Sequence, residues 1–226
     1  MANIVMILGK SGTGKSTSIK SLDPKETVII NPLGKKLPFK GSSSLYSKEN
    51  KNLFQVEDHL QIIALLDGIN KNAPHVKNVV LDDFTYVMRK EYFKRALEAG
   101  YAKYTALAQH TQQIISACES MREDLNVFIM YHSEDVVSDN TIVEYKVATV
   151  GKLLDNQYSP TEVVPMVLYS NVKFDDKGVP TYGFYTHRCM EGSTVIPAKS
   201  PADMFTEDFI PNDLGLVVKA MNEYYN

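Results

Sequence analysis

The chain has no tryptophan, only two cysteines, only four arginines and no apolar run approaching membrane length. Each shortage excludes something. Cys118 and Cys189 build neither a disulfide framework nor a metal-ligand pattern, so a reducing cytosol is the expected compartment. Cys118 falls in a helical pattern and reads as a small buried apolar residue. A membrane span needs about 20 apolar residues; residues 4–8 are too short for that, or for a signal-peptide core, so no membrane partner is expected. The formal charge of −3 excludes a uniformly basic surface and confines any nucleic-acid contact to local patches. The arginine shortage also argues against a small-molecule kinase, because such enzymes close arginine-rich lids over two phosphoryl chains.

What remains is an ordinary globular composition, 44% apolar and 23% charged over 226 residues. It suits a single α/β domain spanning residues 1–226, with a nucleotide-binding core at 1–132 and a β-rich extension with a closing helix at 133–226. The strongest local signal is "ILGKSGTGKS" at residues 7–16, which fits G-x-x-x-x-G-K-[ST]. An apolar strand, Ile4–Leu8, precedes it, and Ser16–Leu22 reads as a helix stopped by Asp23-Pro24. Gly9, Lys10, Ser11, Gly12, Thr13, Gly14, Lys15, Ser16 and Thr17 are therefore expected to bind a nucleoside triphosphate. Backbone N–H groups and a helix N-terminus would cradle the phosphates. Lys15 would reach the β- and γ-phosphates, and Ser16 would coordinate Mg²⁺.

Strands and helices then alternate, which implies a mainly parallel sheet flanked by helices. Strands are expected at Thr27–Ile30, at Asn78–Asp83, and at Asn126–Tyr131 ending on His132. Helices are expected at 55–70, through Val56, Leu60, Ile63, Leu66 and Ile69, and near 84–98 and 103–123. Residues 32–53 read as a long polar loop and 133–140 as an acidic loop. The alternation at 142–150, then a hairpin of 163–173 with 181–187, extend the sheet with antiparallel strands. Asn212-Asp213 caps a closing helix whose apolar face holds Leu214, Val217, Met221 and Tyr224.

Asp82 ends an apolar strand, where a carboxylate lies beside the phosphate loop and completes the Mg²⁺ site with Ser16. Asp83 has two available roles, orienting the attacking water or capping the helix that begins at Phe84. His132 stands at a strand end, where a polar side chain can sense the γ-phosphate. Lys152, Arg188 and Lys199 are candidates for a cation supplied in trans to the developing charge. Two stretches interleave cations with aromatics, 35–51 and 86–104; Lys35, Lys36, Lys40, Arg89 and Lys90 are candidate single-stranded DNA contacts. The competing reading of both stretches is a solvated face over core aromatics.

The segments "GKSGTGKST", "DPKETVIINPLGKKLPFKG", "APHVKNVVLDDFTYVM", "VFIMYHSE", "TVGKLLD" and "AKSPADMF…IPNDL" resemble a family of bacteriophage P-loop ATPases, the phage AAA or nucleotide-binding proteins with a RecA-like core. The chain is similar to phage single-strand annealing ATPases. The resemblance implies ATP at Gly9–Thr17, Mg²⁺ at Asp82 and His132 in the sensing position. It also implies a homo-oligomer in the cytoplasm of an infected host, acting with single-stranded DNA and other phage recombination or replication proteins. Two departures stand out. RecA-type recombinases carry a catalytic glutamate where this chain has Asn31, so Asp83 must substitute or hydrolysis is slow. The segment after His132 is acidic, so DNA contacts are expected at 35–51 and 86–104. An ATP-switched loader with little turnover and a small-molecule phosphotransferase are the alternatives.

Overall fold

Val5, Met6, Ile7 and Leu8 are wholly shielded from solvent, which is why the first strand reads as an unbroken apolar run. They lie in β1 (Asn3–Gly9), at the centre of a computed structural model that describes residues 1–151, 153–154 and 158–225. β1 pairs in parallel with β5 (Asn126–Ser138) on one side and β7 (Met166–Phe174) on the other. Beyond β5 follow β4 (Asn78–Leu81), β2 (Thr27–Ile30) and the short β3 (Leu53–Phe54), all parallel. One strand therefore separates the strand that enters the glycine loop from the strand that ends in the acid pair.

Alternate β1 side chains face opposite layers. Ile4, Met6 and Leu8 pack with Ile62, Leu66 and Ile69 of α2 (His59–Asn72) and with Ile114 and Cys118 of α4 (Ala102–Glu119); Val87 and Met88 of α3 (Thr85–Lys94) join the same cluster. On the other face, Val5 and Ile7 pack with Ile19, Phe205 and Val217. Ile19 belongs to a short 3₁₀ helix, Lys15–Ser21, and Val217 to α6 (Leu214–Tyr225). The result is a helix–sheet–helix sandwich. Two minor helices, α1 (Ser42–Leu45) and α5 (Pro160–Val163), sit in the connections.

Several expectations need correction. The segment after the glycine loop winds as 3₁₀ rather than α because its hydroxyls bond their own backbone: Ser18 donates to the Lys15 carbonyl at 2.5 Å and Ser21 to that of Ser18 at 3.2 Å. α2 starts at His59, where the Asp58 carboxylate accepts from the Gln61 N–H at 3.0 Å, and Leu60 is 63% exposed. Leu66 and Ile69 are buried and Val56 and Ile63 pack against the core as anticipated, while Ile62 is buried where Leu60 was expected. Tyr224 is likewise exposed, whereas Leu214, Val217 and Met221 are buried.

The anticipated acidic loop at 133–140 is not a loop. β5 runs through it to Ser138 and turns at Asp139-Asn140, both with left-handed φ (48° and 61°), into the antiparallel β6 (Thr141–Val147). Its acids have partners: Glu134 meets Lys146 at 3.0 Å and Asp135 meets Lys10 at 2.8 Å. Charge on an exposed ribbon masked the strand signal. β9 (Cys189–Glu191) and β10 (Thr194–Ile196) continue this flap. The other extension also differs in part, because β7 enters parallel to β1, while β8 (Pro180–Tyr185) and β11 (Phe209–Pro211) are antiparallel at that edge.

Tyr131, fully buried in β5, has a hydroxyl with no hydrogen-bond partner among the described residues. An unsatisfied buried polar group costs about 1–3 kcal/mol. Tyr131→Phe is therefore expected to stabilise the protein by about 1 kcal/mol, read as a higher urea midpoint at unchanged slope. A lower midpoint would show that the hydroxyl is satisfied.

Candidate functional site

The carboxyl ends of β1, β2, β4 and β5 converge on one edge of the sheet, where open α/β sheets bind ligands. The glycine loop follows β1 there. Gly12 and Gly14 have φ of 84° and 97°, which side chains rarely adopt. A Cβ on Gly9 would lie 2.6 Å from the Ser170 carbonyl oxygen, so the loop's entry also requires glycine. Side chains hold the loop's carbonyls. Lys15 Nζ donates to Gly9 and Lys10 at 2.7 Å each, Thr13 Oγ1 to Lys10 at 2.9 Å, Ser170 Oγ to Thr13 at 2.8 Å, and Asn212 Nδ2 to Gly14 at 2.8 Å. With those acceptors engaged, the loop offers the cleft N–H donors, the composition of an anion site.

The cleft has a volume of about 630 Å³. Ser11, Gly12, Gly14, Lys15, Ser16 and Thr17 line it, while Gly9, Lys10 and Thr13 brace the loop from outside. Lys10's ammonium turns away to Asp135 at 2.8 Å. Asp82, Asp83 and His132 also line the cleft, so the anticipated site residues of this chain's core come together.

Asp82 is buried, and its Oδ1 accepts from Ser16 Oγ at 2.8 Å and from the Asp83 N–H at 3.0 Å. Its Oδ2 accepts from Asn31 Nδ2 at 3.2 Å. Burial, then the neighbouring Asp83 charge, raises its pKa to about 6. A hydroxyl beside a carboxylate is an oxygen-only donor set, which fits a hard cation such as Mg²⁺. Asp83 is not a helix cap: the N-cap position of α3 is Phe84, without a side-chain bond. Instead Asp83 takes a left-handed φ of 51° and its Oδ2 lies 3.3 Å from Lys35 Nζ.

His132 is level with Gly9 in the β1–β5 register, and its N–H donates to Thr85 Oγ1 at 2.8 Å. Its ring meets Tyr86 edge-on at 5.6 Å, and Nδ1 is buried without a partner among the described residues. Burial, then the Lys15 charge, lowers its pKa to about 4, so it stands in the cleft as a neutral imidazole.

Burial also lowers Lys15 to about 8. Its ammonium has three N–H donors, of which two meet loop carbonyls, leaving one for an anion. An arriving phosphate restores its pKa. Above pH ~8, where free Lys15 is largely neutral, binding of a phosphate ligand is therefore expected to take up a proton, whereas near pH 7 this uptake fades. Calorimetry in buffers of different ionisation enthalpy reads it; proton release at about pH 8.5 would contradict the assignment.

Lys35 and Lys36, anticipated as DNA contacts, line this cleft, and Lys40 is exposed nearby. In the 86–104 stretch, Lys90 and Lys94 pair with Glu57 at 2.5 and 2.6 Å, and Arg95 with Glu91 and Glu98 at 2.9 Å each. Lys103 is buried and donates to the carbonyl of Glu98 at 2.8 Å. Arg89 lies 5.4 Å from the Tyr86 ring centroid. Two of the trans candidates do not line the cleft: Arg188 pairs with Glu144 at 3.1 Å and Lys199 donates to the Glu162 carbonyl at 3.3 Å. Lys152 falls outside the described residues. Asn212 reads in the sequence only as part of a helix cap, a role that Asp213 fills by accepting from the Leu216 N–H at 3.2 Å, and Ser170 and Tyr182 are not singled out there; their places at the loop come from the far end of the chain.

Among the described residues, His59, Glu91 and His110 form a cluster with metal-ligand chemistry. Its two imidazoles stack at 3.5 Å and 8°, so their lone pairs run parallel instead of converging on one point. Glu91 is shared between His110 at 2.9 Å and Arg95 at 2.9 Å, which makes the cluster a tie among three helices. No helix among the described residues is long and apolar enough to cross a membrane.

Comparison with known proteins gives one family. Residues 1–200 match the model of a family described as an AAA domain. No curated protein matches the chain.

Proposed function

Because the chain belongs to the AAA domain family, whose members bind and hydrolyse nucleotides, we propose that it is a Mg²⁺-dependent ATPase with a RecA-like core, encoded by a phage and serving DNA recombination, annealing or replication. The observation that carries the ATPase reading is the 2.8 Å bond from Ser16 to Asp82, which joins two motifs 66 residues apart into one oxygen-donor pair beside Lys15. The insertion of β5 between β1 and β4 supports the RecA-like arrangement. Mg²⁺ held at Ser16 and Asp82 would neutralise phosphate charge. The loop N–H groups and Lys15 bind the phosphate chain, and Asp83 orients a water molecule. The water oxygen bonds to the γ-phosphorus while the bridging bond to the β-phosphate breaks, its electron pair leaving with ADP. Asp83 accepts the proton.

The DNA role rests on the family resemblance and on the cations at Lys36, Lys40 and Arg89, with Mg²⁺-ATP uniting protomers in the host cytoplasm. A low-turnover switch that assembles other proteins is the second reading. It is favoured by the Lys35–Asp83 pair, which holds the water-orienting acid engaged. Steady-state phosphate release with and without single-stranded DNA separates the two. Stimulation by DNA supports the recombination reading, and ATP binding without release supports the switch. Phosphate transfer to an added nucleoside would contradict both.

A further inference from the structure

Lys35 reaches the cleft through a built turn. Asn31 Oδ1 accepts from the N–H groups of Leu33 and Gly34 at 2.9 and 3.0 Å, and Gly34 takes a left-handed φ of 66°. The same Asn31 amide donates to Asp82, so the turn is fixed to the Mg²⁺ acid. Beyond it, the Lys35 ammonium lies 3.3 Å from Asp83 and 5.4 Å from the centroid of the Tyr86 ring. The lysine side chain is 61% exposed and the carboxylate 12% exposed. It therefore covers the acid from the solvent side of the phosphate cleft.

An ion pair with one exposed partner is weak and readily exchanged. A terminal phosphate carries more negative charge than one carboxylate and offers three acceptor oxygens, so it competes for the ammonium. We propose that Lys35 is a second γ-phosphate cation of this site, beside Lys15, and acts in cis. When ATP binds, its ammonium leaves Asp83 for the γ-phosphate, and the exchange frees Asp83 for the attacking water. This inference rests on the ATPase reading and adds to it a device that distinguishes ATP from ADP. Lys35 makes and breaks no covalent bond; it neutralises charge while water adds to phosphorus, ADP departs and Asp83 takes the proton. Because Lys35 belongs to the turn at 31–35, that turn follows the state of the nucleotide. Lys35 lines the same cleft as Lys15 and His132, which places it at the site they share.

The test measures calorimetric binding of ADP and of the non-hydrolysable β,γ-imido analogue of ATP, with Mg²⁺, alongside phosphate release from ATP. The proteins are the full chain and its Lys35→Ala, Lys35→Arg and Asp83→Asn variants. Lys35→Ala is expected to lose about tenfold or more in affinity for the triphosphate, to bind ADP within about twofold, and to fall about 10²–10³-fold in turnover. Lys35→Arg should recover much of both, and Asp83→Asn should keep the preference for triphosphate. A Lys35→Ala protein with turnover and preference like those of the unaltered chain overturns the proposal, as does equal loss of both nucleotides. An unaltered chain that binds neither nucleotide overturns the ATPase reading itself.

Discussion

Lys15→Ala is expected to lower ATP affinity about 100-fold and to abolish measurable turnover, without unfolding the protein. Charge-assisted hydrogen bonds contribute about 1.5–3 kcal/mol each, roughly tenfold to a hundredfold in affinity, and more where water is excluded. Lys15 is only 8% exposed, and burial has already pulled its pKa down to about 8, so little water remains to screen it. Its removal has opposing effects on stability. The Gly9 and Lys10 carbonyls lose their 2.7 Å partner, but a poorly hydrated charge also disappears. Ser170 and Asn212 still pin the loop at Thr13 and Gly14. Thermal unfolding within a few degrees of the unaltered protein, together with lost binding, is the expected pair of results. Retained ATP affinity would remove Lys15 from the site.

Asp83→Asn is expected to separate turnover from binding. Asparagine matches the size of aspartate and tolerates the left-handed conformation as well, so the φ of 51° is kept. It cannot accept a proton from water. Positioned acid–base groups contribute typically about 10²–10⁴-fold, and a fall of that size in kcat is expected with nucleotide affinity within about threefold. Equal falls in affinity and kcat would instead make Asp83 a binding or structural group. Full activity would transfer the water-orienting role elsewhere, with His132 a polar candidate that lines the same cleft.

Much of this site was legible because its signals are local. The glycine loop announces itself through Gly9, Gly14, Lys15 and Ser16, and Asp82 through the apolar strand it terminates. His132 was found by the same strand-end logic, although β5 continues past it to Ser138. What escaped notice depends on contacts across the whole chain. Ser170 meets Thr13 over a separation of 157 residues and Asn212 meets Gly14 over 198, and no periodicity reports such pairs. Lys35 was visible as a cation in a polar segment, but composition does not say whether a lysine faces a cleft or open solvent. Asn31, notable in the sequence for not being a glutamate, is a brace that joins Asp82 to the Lys35 turn. The acidic segment after His132 deceived for a related reason: Glu134 and Asp135 sit on a ribbon strand whose charges are met by Lys146 and Lys10. In the helical region, the α2 stripe failed only at Leu60, because Ile62 and not Leu60 faces the core with Leu66 and Ile69.

The central claim is that Lys15, Ser16, Asp82 and Asp83 form one Mg²⁺-dependent ATP-hydrolysing centre. The most direct measurement is phosphate release from ATP by the full chain, with Mg²⁺ present and with the metal chelated. The expected release depends on Mg²⁺, saturates with ATP and disappears in Lys15→Ala. Release that is indifferent to chelation, or that survives in Lys15→Ala, would contradict it.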